Sequence, residues 1–452
     1  MKSAQSIFIL VLLFTLILST TLFAQQSKSL TLEQAMTIAF QRNVSVAQAQ
    51  NSVESSKLSV LSSYGAYIPV VGASASWQRS GVNTPATTQF INGIPFPIPE
   101  RDEWLGQYNA SIGLSYTIFD GFRREVNLDN SKSGQLQSEQ SFERTKQQIG
   151  YSVQSLYLNV LRSEQLMKVS EENLTNEQKR LERIMEMNRV GAIAIGDVYR
   201  QQSSVASSEY NLINAQSTFK KAKADLLNIL ALDVNEEYTI ADEALVSQIQ
   251  TVETDPGIET LGTFGSLMGR ALDSRFDYLN SKEALIVAEN NITSTWSDYY
   301  PTLSTYATIR SSTPLFKDVI DKRSYSYGLT MSWRMPEIFS SYQRIEGAKI
   351  SKSNAELQLE QKVRDISVEM KKALLDLDAA RKQYEVSQKN VLAAGQDRRV
   401  AEEKYNLGSG TLLDYQVANT AYMNAQVTKV NNAYSYLMFK RNLELVIGEK
   451  KY

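Results

Sequence analysis

The chain contains neither cysteine nor histidine among its 452 residues. Without cysteine it has no disulfide, no thiol chemistry and no lipid anchor on an N-terminal cysteine. Without either residue type it also lacks the usual zinc ligands and the commonest general base, which leaves carboxylates, Lys, Tyr, Ser and Thr for any catalysis. We therefore expect no metal site, no cofactor and no enzymatic activity.

An excess of charge of one sign is also lacking. The chain has 47 Lys and Arg residues against 49 Asp and Glu residues, so its net charge is -2. A chain without a broad basic surface is not expected to bind nucleic acid. The phosphate-binding sequence Gly-x-x-x-x-Gly-Lys does not occur either, so any transport would have to be driven by a partner protein.

The N-terminus has the pattern of an export signal. Lys2 precedes an apolar run from Ile7 to Leu18, and the segment from Ser19 to Ala24 that follows is in the place of a cleavage site. The apolar run is about twelve residues long, whereas a membrane-spanning helix needs about twenty. The pattern predicts a signal peptide over residues 1–24, and a membrane anchor is the less favoured alternative.

Proline is scarce, and none of the nine prolines lies between 100 and 255 or between 337 and 452. Both stretches can therefore form long helices. Each carries residues at seven-residue spacing, which is typical of a coiled-coil seam. The recurring positions are Val153, Val160, Met167, Leu174 and Leu181 in the first stretch, and Val363, Met370, Leu377, Tyr384 and Val391 with Ile366, Ala373, Ala380, Ser387 and Ala394 in the second. Long helices are predicted at 122–190 and 338–407, and an isolated coiled-coil dimer remains an alternative.

The same turn follows both seams. Val190-Gly191-Ala192 precedes Asp197, and Leu407-Gly408-Ser409 precedes Asp414. The glycines and the aspartates are each 217 residues apart, a whole number of heptads, which indicates an internal duplication. A glycine that ends one helix and an acid in the first turn of the next predict helical hairpins. The predicted ranges are 197–232 and 411–447 for the return helices, and 25–240 and 241–452 for the two repeats.

Ahead of each long helix the periodicity changes from seven to two, which predicts strands. The strands are expected near 69–78 and 108–119 in the first repeat and near 302–310 and 324–333 in the second. One face of these strands is aromatic and aliphatic, while the other is mostly Ser, Gly, Thr and Asn. A face so small and polar suits a water-filled lumen, which favours a membrane barrel over a soluble sandwich. Four strands cannot close a barrel, so several chains must share one.

Two loops and one joining segment connect these predicted elements. The loop from Arg79 to Gln107 contains Ile94-Pro95-Phe96-Pro97-Ile98-Pro99, and its shorter counterpart runs from Arg310 to Arg323. Both loops would be extracellular if the strands form a barrel. Residues 224–269 contain acidic residues but neither Lys nor Arg, and they are expected to join the repeats.

The chain resembles the TolC family of outer-membrane factors over nearly all of its mature length. The most specific motifs are Thr31-Leu32-Glu33-Gln34-Ala35, Phe119-Asp120-Gly121, and Tyr405-Asn406-Leu407-Gly408 through Asp414. The resemblance implies an α+β membrane protein of the outer membrane: a homotrimer with a 12-stranded β-barrel, four strands per chain, continued by a long α-helical coiled-coil barrel in the periplasm.

The resemblance also implies a function and partners. The chain would be the passive outer-membrane channel of a tripartite efflux pump or a type I secretion system. Its partners would be a periplasmic adaptor (membrane fusion) protein, an inner-membrane transporter and outer-membrane lipid. The alternative function is a periplasmic coiled-coil scaffold or adhesin without a pore.

Site residues follow from the resemblance position by position. The hairpin tips that would contact the adaptor are Val190, Gly191, Ala192, Leu407, Gly408 and Ser409. The periplasmic gate would use Asp414, Asp197 and Tyr405. Two departures from the family pattern are Val417, where the family has a second aspartate, and Gly410, where it has an arginine. The alternative for both aspartates is an ordinary acid in the first turn of a helix, stabilised by the helix dipole.

Overall fold

The computed structural model describes residues 28–242, 262–333 and 337–449. The predicted signal peptide, residues 1–24, lies outside these ranges. Within them, no helix combines the length and the apolar character needed to cross a membrane. The chain forms two compact units: a sheet-containing unit of Gln50–Ser141 and Asp277–Val363, and a helical unit made from the rest. Each unit takes residues from both predicted repeats.

Strands and helices are numbered here in chain order. The strands are β1 Lys28–Leu30, β2 Val70–Thr84, β3 Thr87–Ile91, β4 Ile94–Ile98, β5 Arg101–Phe119, β6 Tyr238–Ile240, β7 Thr302–Thr313 and β8 Ser324–Ser332. The helices are α1 Leu32–Arg42, α2 Val44–Gly65, α3 Arg123–Arg189, α4 Ile195–Ile229, α5 Phe264–Ser274, α6 Phe276–Trp296, α7 Ile338–Asn406 and α8 Leu412–Ile447.

A four-stranded antiparallel sheet dominates the sheet-containing unit, in the order β2-β5-β7-β8. Its central pairing joins the two halves of the chain, because Ser111 of β5 lies opposite Arg310 of β7. The four predicted strands are therefore present and share one sheet. Strands β2 and β8 are its edges.

The two faces of this sheet differ as the alternation predicts. The polar face carries cross-strand hydrogen bonds, such as 2.8 Å between the Ser74 and Ser111 hydroxyls and 2.7 Å from Ser312 to Asn109. The register also places Tyr306 and Arg310 of β7 on this face. Its side chains are therefore not all small, although those from the other three strands mostly are. The opposite face exposes large apolar side chains, among them Val71, Trp77, Ile112, Tyr325, Tyr327, Leu329 and Met331.

The corner between β5 and α3 depends on Gly121. Its φ is +74°, and a Cβ built there would lie 2.6 Å from the carbonyl oxygen of Ser297. Arg124 braces the same corner by donating to the carbonyl oxygens of Thr117 at 2.7 Å and Ile118 at 2.9 Å. The Phe119-Asp120-Gly121 motif is thus explained by a left-handed residue packed directly against backbone.

The helical unit follows the heptad pattern most closely along α7. Its seam residues are spaced alternately four and three residues apart, and all of them are buried: Ile366, Met370, Ala373, Leu377, Ala380, Tyr384 and Ser387. In α3 the seam is less regular. Val153 and Val160 are fully buried, but Leu174 and Leu181 are only partly buried, while the polar Glu177 and Arg180 are buried instead.

Two features differ from the sequence expectations. Arg79–Gln107 is not a simple loop, since β2 and β5 extend into it and β3 and β4 form a separate hairpin at its tip. A short parallel pair of β1 with β6 was also not predicted.

The Thr31-Leu32-Glu33-Gln34-Ala35 motif follows β1 and forms a capping box, in which Thr31 and Gln34 hydrogen-bond to each other's backbone N–H.

Replacing Gly121 by Ala tests the β5–α3 corner. We expect Gly121→Ala to lower the unfolding free energy by about 1–3 kcal/mol or more, because alanine is strained at positive φ and its Cβ meets the Ser297 carbonyl. Gly134→Ala, inside α3 with open space around it, is the matched control and should be neutral or stabilising by about 0.5–1 kcal/mol. Thermal unfolding followed by circular dichroism measures both. Equal midpoints for the two variants would contradict this account of the corner.

Candidate functional site

The two predicted hairpin tips have the same backbone turn. In the first, Gly191 donates to the Asn188 carbonyl at 2.9 Å and Ala192 donates to the Met187 carbonyl at 2.8 Å. In the second, Gly408 donates to Tyr405 at 3.1 Å and Ser409 donates to Lys404 at 2.9 Å. Both glycines have a φ of +73°. Each turn is a Schellman motif, which satisfies the last carbonyls of the long helix and reverses the chain.

Apolar side chains lie exposed at both tips. Val190 is 69% exposed and Leu407 is 83% exposed. A Cβ at Gly191 or Gly408 would meet no atom within 4 Å, so the tips are open to solvent around the turn. An exposed aliphatic residue beside a rigid turn can bury apolar area against a partner at little conformational cost.

Asp414 lies three residues after Thr411, the N-cap of α8, and forms a capping box with it. Its carboxylate accepts from the Thr411 hydroxyl at 2.7 Å and from the Thr411 backbone N–H at 3.0 Å, while its own N–H donates to the Thr411 hydroxyl at 3.1 Å. The side-chain hydrogen bond, followed by the backbone one, holds the pKa of Asp414 below its ordinary value. The carboxylate therefore stays charged while serving as a cap.

Asp197 occupies the equivalent place in α4 but has different partners. The N-cap there is Ala194, which has no side chain to accept or donate a hydrogen bond. The Asp197 carboxylate instead accepts from Arg200 at 3.2 Å, one turn further along the same helix. The two aspartates thus lie at matching positions of the two hairpins, but only Asp414 forms side-chain hydrogen bonds with the N-cap residue of its helix.

Tyr405 lies at the centre of an apolar cluster beneath the tips. It packs with Ile184 and Val198 of the first hairpin and with Leu412 and Tyr415 of the second. Its hydroxyl is buried and, within the described part of the chain, has no hydrogen-bond partner. Burial, and then the negative charge of Asp197, raise the pKa of Tyr405, so its hydroxyl remains neutral. Asp197 and Tyr405, two of the predicted gate residues, are therefore close enough to interact electrostatically but are not hydrogen-bonded to each other.

A buried carboxylate that the sequence analysis missed lies just below this cluster. Glu177 is 2% exposed, and its Oε2 accepts from Gln201 at 2.5 Å and from Ser204 at 3.2 Å. Its Oε1 accepts from Asn419 at 2.8 Å. We call Glu177, Gln201, Ser204 and Asn419 the polar node. It links α3 and α4 of the first hairpin to α8 of the second through neutral donors alone.

Arg180, one turn after Glu177, makes a second link between the hairpins. Its guanidinium donates to Glu402 of α7 at 2.7 Å and lies 3.5 Å from the ring centroid of Tyr415 in α8. The Arg180 side chain is nearly buried, so its charge is shielded from water and held between a carboxylate and an aromatic face. The two hairpins are therefore joined near their tips by an apolar cluster, a polar node and an ion pair.

The missed residues do carry a sequence signal. Glu177 lies seven residues before the buried Ile184, and Asn419 lies seven residues after the buried Leu412. A polar residue at a seam position indicates a buried hydrogen-bonding partner on a facing helix. In the described ranges, no group of acidic residues is arranged to hold a metal ion.

The chain is similar to known proteins over most of its length. The model of the family described as "Outer membrane efflux protein" matches residues 35–232 and 267–449. The probable efflux pump outer membrane protein TtgC of Pseudomonas putida is 23% identical over 389 residues, which is 84% of this chain and 75% of that protein. The outer membrane protein TolC of Escherichia coli is 19% identical over 352 residues, which is 75% of this chain and 69% of that protein.

A solved structure shares the fold. The outer membrane channel CmeC of Campylobacter jejuni superposes with a TM-score of 0.75 at 18% identity, covering 92% of this chain and 85% of that one. The match therefore extends over both the sheet-containing and the helical unit.

Replacing Glu177 by Gln tests the polar node. We expect Glu177→Gln to lower the unfolding free energy by about 1–3 kcal/mol, because the new amide places an N–H against buried donors that need an acceptor. Glu182→Gln, on an exposed position of the same helix, is the matched control and should change stability by less than about 0.5 kcal/mol. Thermal unfolding midpoints at pH 7 compare the two. A Glu177→Gln midpoint equal to that of the control would rule out a structural role for the node.

Proposed function

The chain belongs to the outer membrane efflux protein family, and from this premise we propose that it is the outer-membrane channel of a tripartite efflux pump or a type I secretion system. In this role it conducts cargo passively from the periplasm to the outside of the cell. The observation that carries the proposal is the four-stranded sheet. One of its faces has mostly small, polar side chains, and the other has exposed apolar side chains. Such a sheet fits between lipid and a water-filled lumen.

The edges of the sheet support a shared barrel. Strands β2 and β8 each have one unpaired side within the four-stranded sheet. In lipid, every unpaired backbone group costs several kcal/mol, so the edges must pair. Pairing β8 of one copy with β2 of the next closes a ring, and three copies give the 12 strands that the family resemblance implies. The long duplicated helices α3 and α7, each about 100 Å by their rise per residue, would then form the periplasmic part.

The hairpin tips are the proposed site for the periplasmic adaptor protein. Val190 and Leu407 are exposed apolar residues. Gly191 and Gly408 have the same φ, so the backbone turn is the same at both tips. An adaptor could therefore bind the two tips of each chain in a similar way. An inner-membrane transporter that supplies the energy completes the proposed assembly.

Asp414, Asp197 and Tyr405 are the proposed periplasmic gate. In a trimer, three copies of Asp414 around the axis would attract cations in a narrow mouth. The capping box keeps this carboxylate charged. The apolar cluster around Tyr405 packs α8 against the first hairpin. Opening the mouth would then require movement of the tips relative to this cluster.

Ion conductance in planar bilayers tests the channel. The purified trimer should give stepwise conductance that is absent from the same sample after dissociation to monomers, because only a closed barrel encloses a lumen. A folded trimer that inserts without conductance would instead favour a scaffold or adhesin.

Block of this conductance by multivalent cations tests Asp414. Asp414→Asn should weaken the block, while Glu403→Gln, an exposed acid near the same tip, should leave it unchanged. Because the pKa of Asp414 is lowered, the block should be lost at a lower pH than an aspartate with an ordinary pKa would give. Thr411→Val removes the side-chain hydrogen bond that lowers this pKa most and leaves the backbone N–H bond in place, so the block should then disappear at higher pH. An unchanged block in Asp414→Asn would remove Asp414 from the gate.

A further inference from the structure

The loop between β7 and β8, residues 314–323, folds back over the apolar face of the four-stranded sheet. The Phe316 ring packs edge-on against Tyr108, with 5.5 Å between the ring centroids. The register places Tyr108 opposite Trp77 and Thr313, which puts all three side chains on the apolar face. Thr313 is only 1% exposed. The loop therefore covers part of the side of the sheet that is proposed to face lipid.

A groove of about 400 Å³ lies between this loop and the sheet. Its floor includes the small side chains of Ala73, Ala75 and Ala110, and its wall on the loop side includes Val319 and Ile320. Ala75 lies opposite Ala110 on the neighbouring strand, so the floor is a depression in a face whose other side chains are mostly large. We call this space the rim groove. Its volume is in the range of pockets that bind small ligands.

A buried hydroxyl without a partner lies in the rim groove. Ser311 is 5% exposed, and its Oγ makes no hydrogen bond within the described part of the chain. Ser311 pairs with Ala110, so its side chain is on the apolar face, and it lines the groove. The neighbouring Ser312, on the opposite face, donates to Asn109 at 2.7 Å. Because buried polar groups in proteins are nearly always hydrogen-bonded, the Ser311 hydroxyl indicates that the groove holds a polar atom of a ligand.

A cation without a partner lines the same groove. The Arg323 side chain forms neither a hydrogen bond nor an ion pair with any described residue. Arg323 lies one position beyond the pair of Arg310 with Ser324, which brings it level with Ser311. The other charges of the loop are two lysines and two aspartates, which balance one another: Lys317, Asp318, Asp321 and Lys322. The Arg323 guanidinium is therefore available to bind an anion.

We propose that the rim groove binds one phosphate-bearing lipid of the surrounding membrane, with an acyl chain on the alanine floor and the phosphate at Arg323. This inference rests on the proposed channel, which places the apolar face of the sheet in lipid. The planar guanidinium of an arginine matches the geometry of a phosphate group. Ser311, level with Arg323, donates to an ester or phosphate oxygen of the same molecule.

The surroundings of the groove favour a lipid over a soluble anion or a second copy of the chain. Leu315, Phe316 and Ile320 of the loop are exposed apolar residues, which a lipid covers and a soluble anion does not. A second copy pairs through the edges of β2 and β8, in the plane of the sheet, and leaves this face open. Trp77 and Tyr108 beside the groove are typical of the level where headgroups meet the apolar part of a membrane. A lipid phosphate and its acyl chains meet at that same level.

Native mass measurement of the full-length trimer with added phosphatidylglycerol tests the site. The wild-type trimer should retain three molecules, one per chain, after detergent and unbound lipid are removed. Arg323→Gln should weaken this retention by roughly tenfold or more, because a hydrogen bond between charged groups is lost. Arg310→Gln is the matched control, since it removes the same charge from the opposite face of the same sheet. The control should retain lipid like the wild type.

Replacing Ser311 by Ala separates lipid binding from folding. In the lipid-free trimer, Ser311→Ala removes an unpaired buried hydroxyl, so the thermal unfolding midpoint should be unchanged or higher. Retention of phosphatidylglycerol should nevertheless fall several-fold, because the hydroxyl no longer donates to the lipid. Ser312→Ala, on the opposite face, should leave retention unchanged. A lower midpoint with unchanged retention in Ser311→Ala would contradict the assigned contact.

Two further ligands and the conductance of the same samples decide the remaining outcomes. Diacylglycerol retained as tightly as phosphatidylglycerol would overturn the role of the phosphate. Glycerol phosphate bound as tightly as the lipid, with the same dependence on Arg323, would show a site for soluble anions and overturn the lipid. Equal losses in Arg323→Gln and Arg310→Gln would reduce the effect to general charge. A conducting trimer without retained lipid would overturn the rim groove alone, whereas absence of both trimer and conductance would overturn the proposed channel.

Discussion

The backbone groups along β2 and β8 impose the main constraint on this protein. Interior strands satisfy their N–H and C=O groups within the sheet, but each edge strand has one side that only another strand can satisfy. In water these groups would be solvated, whereas in lipid they cannot be. The apolar face beside them makes lipid the favourable surroundings, so the proposed oligomer follows from hydrogen bonding and not from a specific side-chain contact between copies.

The periodic elements of the fold could be predicted from the sequence, and the aperiodic ones could not. Alternation with period two located the four sheet strands, and the proline-free heptads located α3 and α7. The β3–β4 hairpin escaped because Pro95 and Pro97 suggest irregular chain, although they occupy positions where a strand edge needs no N–H. The β1–β6 pair escaped because three residues are too few to show any period.

The candidate site shows a similar division. The glycines of the tips and the acids of the first turns were recognisable, since local hydrogen bonds alone specify them. The difference between Asp414 and Asp197 depends on whether position 411 or 194 offers a hydroxyl, and it could have been found from Thr411 and Ala194. The seam position of Glu177 indicates a buried polar contact, but its partners could not be identified from the sequence, because they lie 24 and 242 positions away along the chain. Only the fold brings these donors together.

The pairing of β5 with β7 has a consequence for how the protein is made. Residues near 110 find their partners near 310, and Gly121 packs against the carbonyl of Ser297. The first half of the chain thus has no complete sheet or corner until the second half has been delivered. Such distant pairings slow folding and leave strands uncovered meanwhile. The newly exported polypeptide must therefore be kept from aggregating, by a holding chaperone or by rapid membrane delivery, for the whole time its C-terminal half is being translocated.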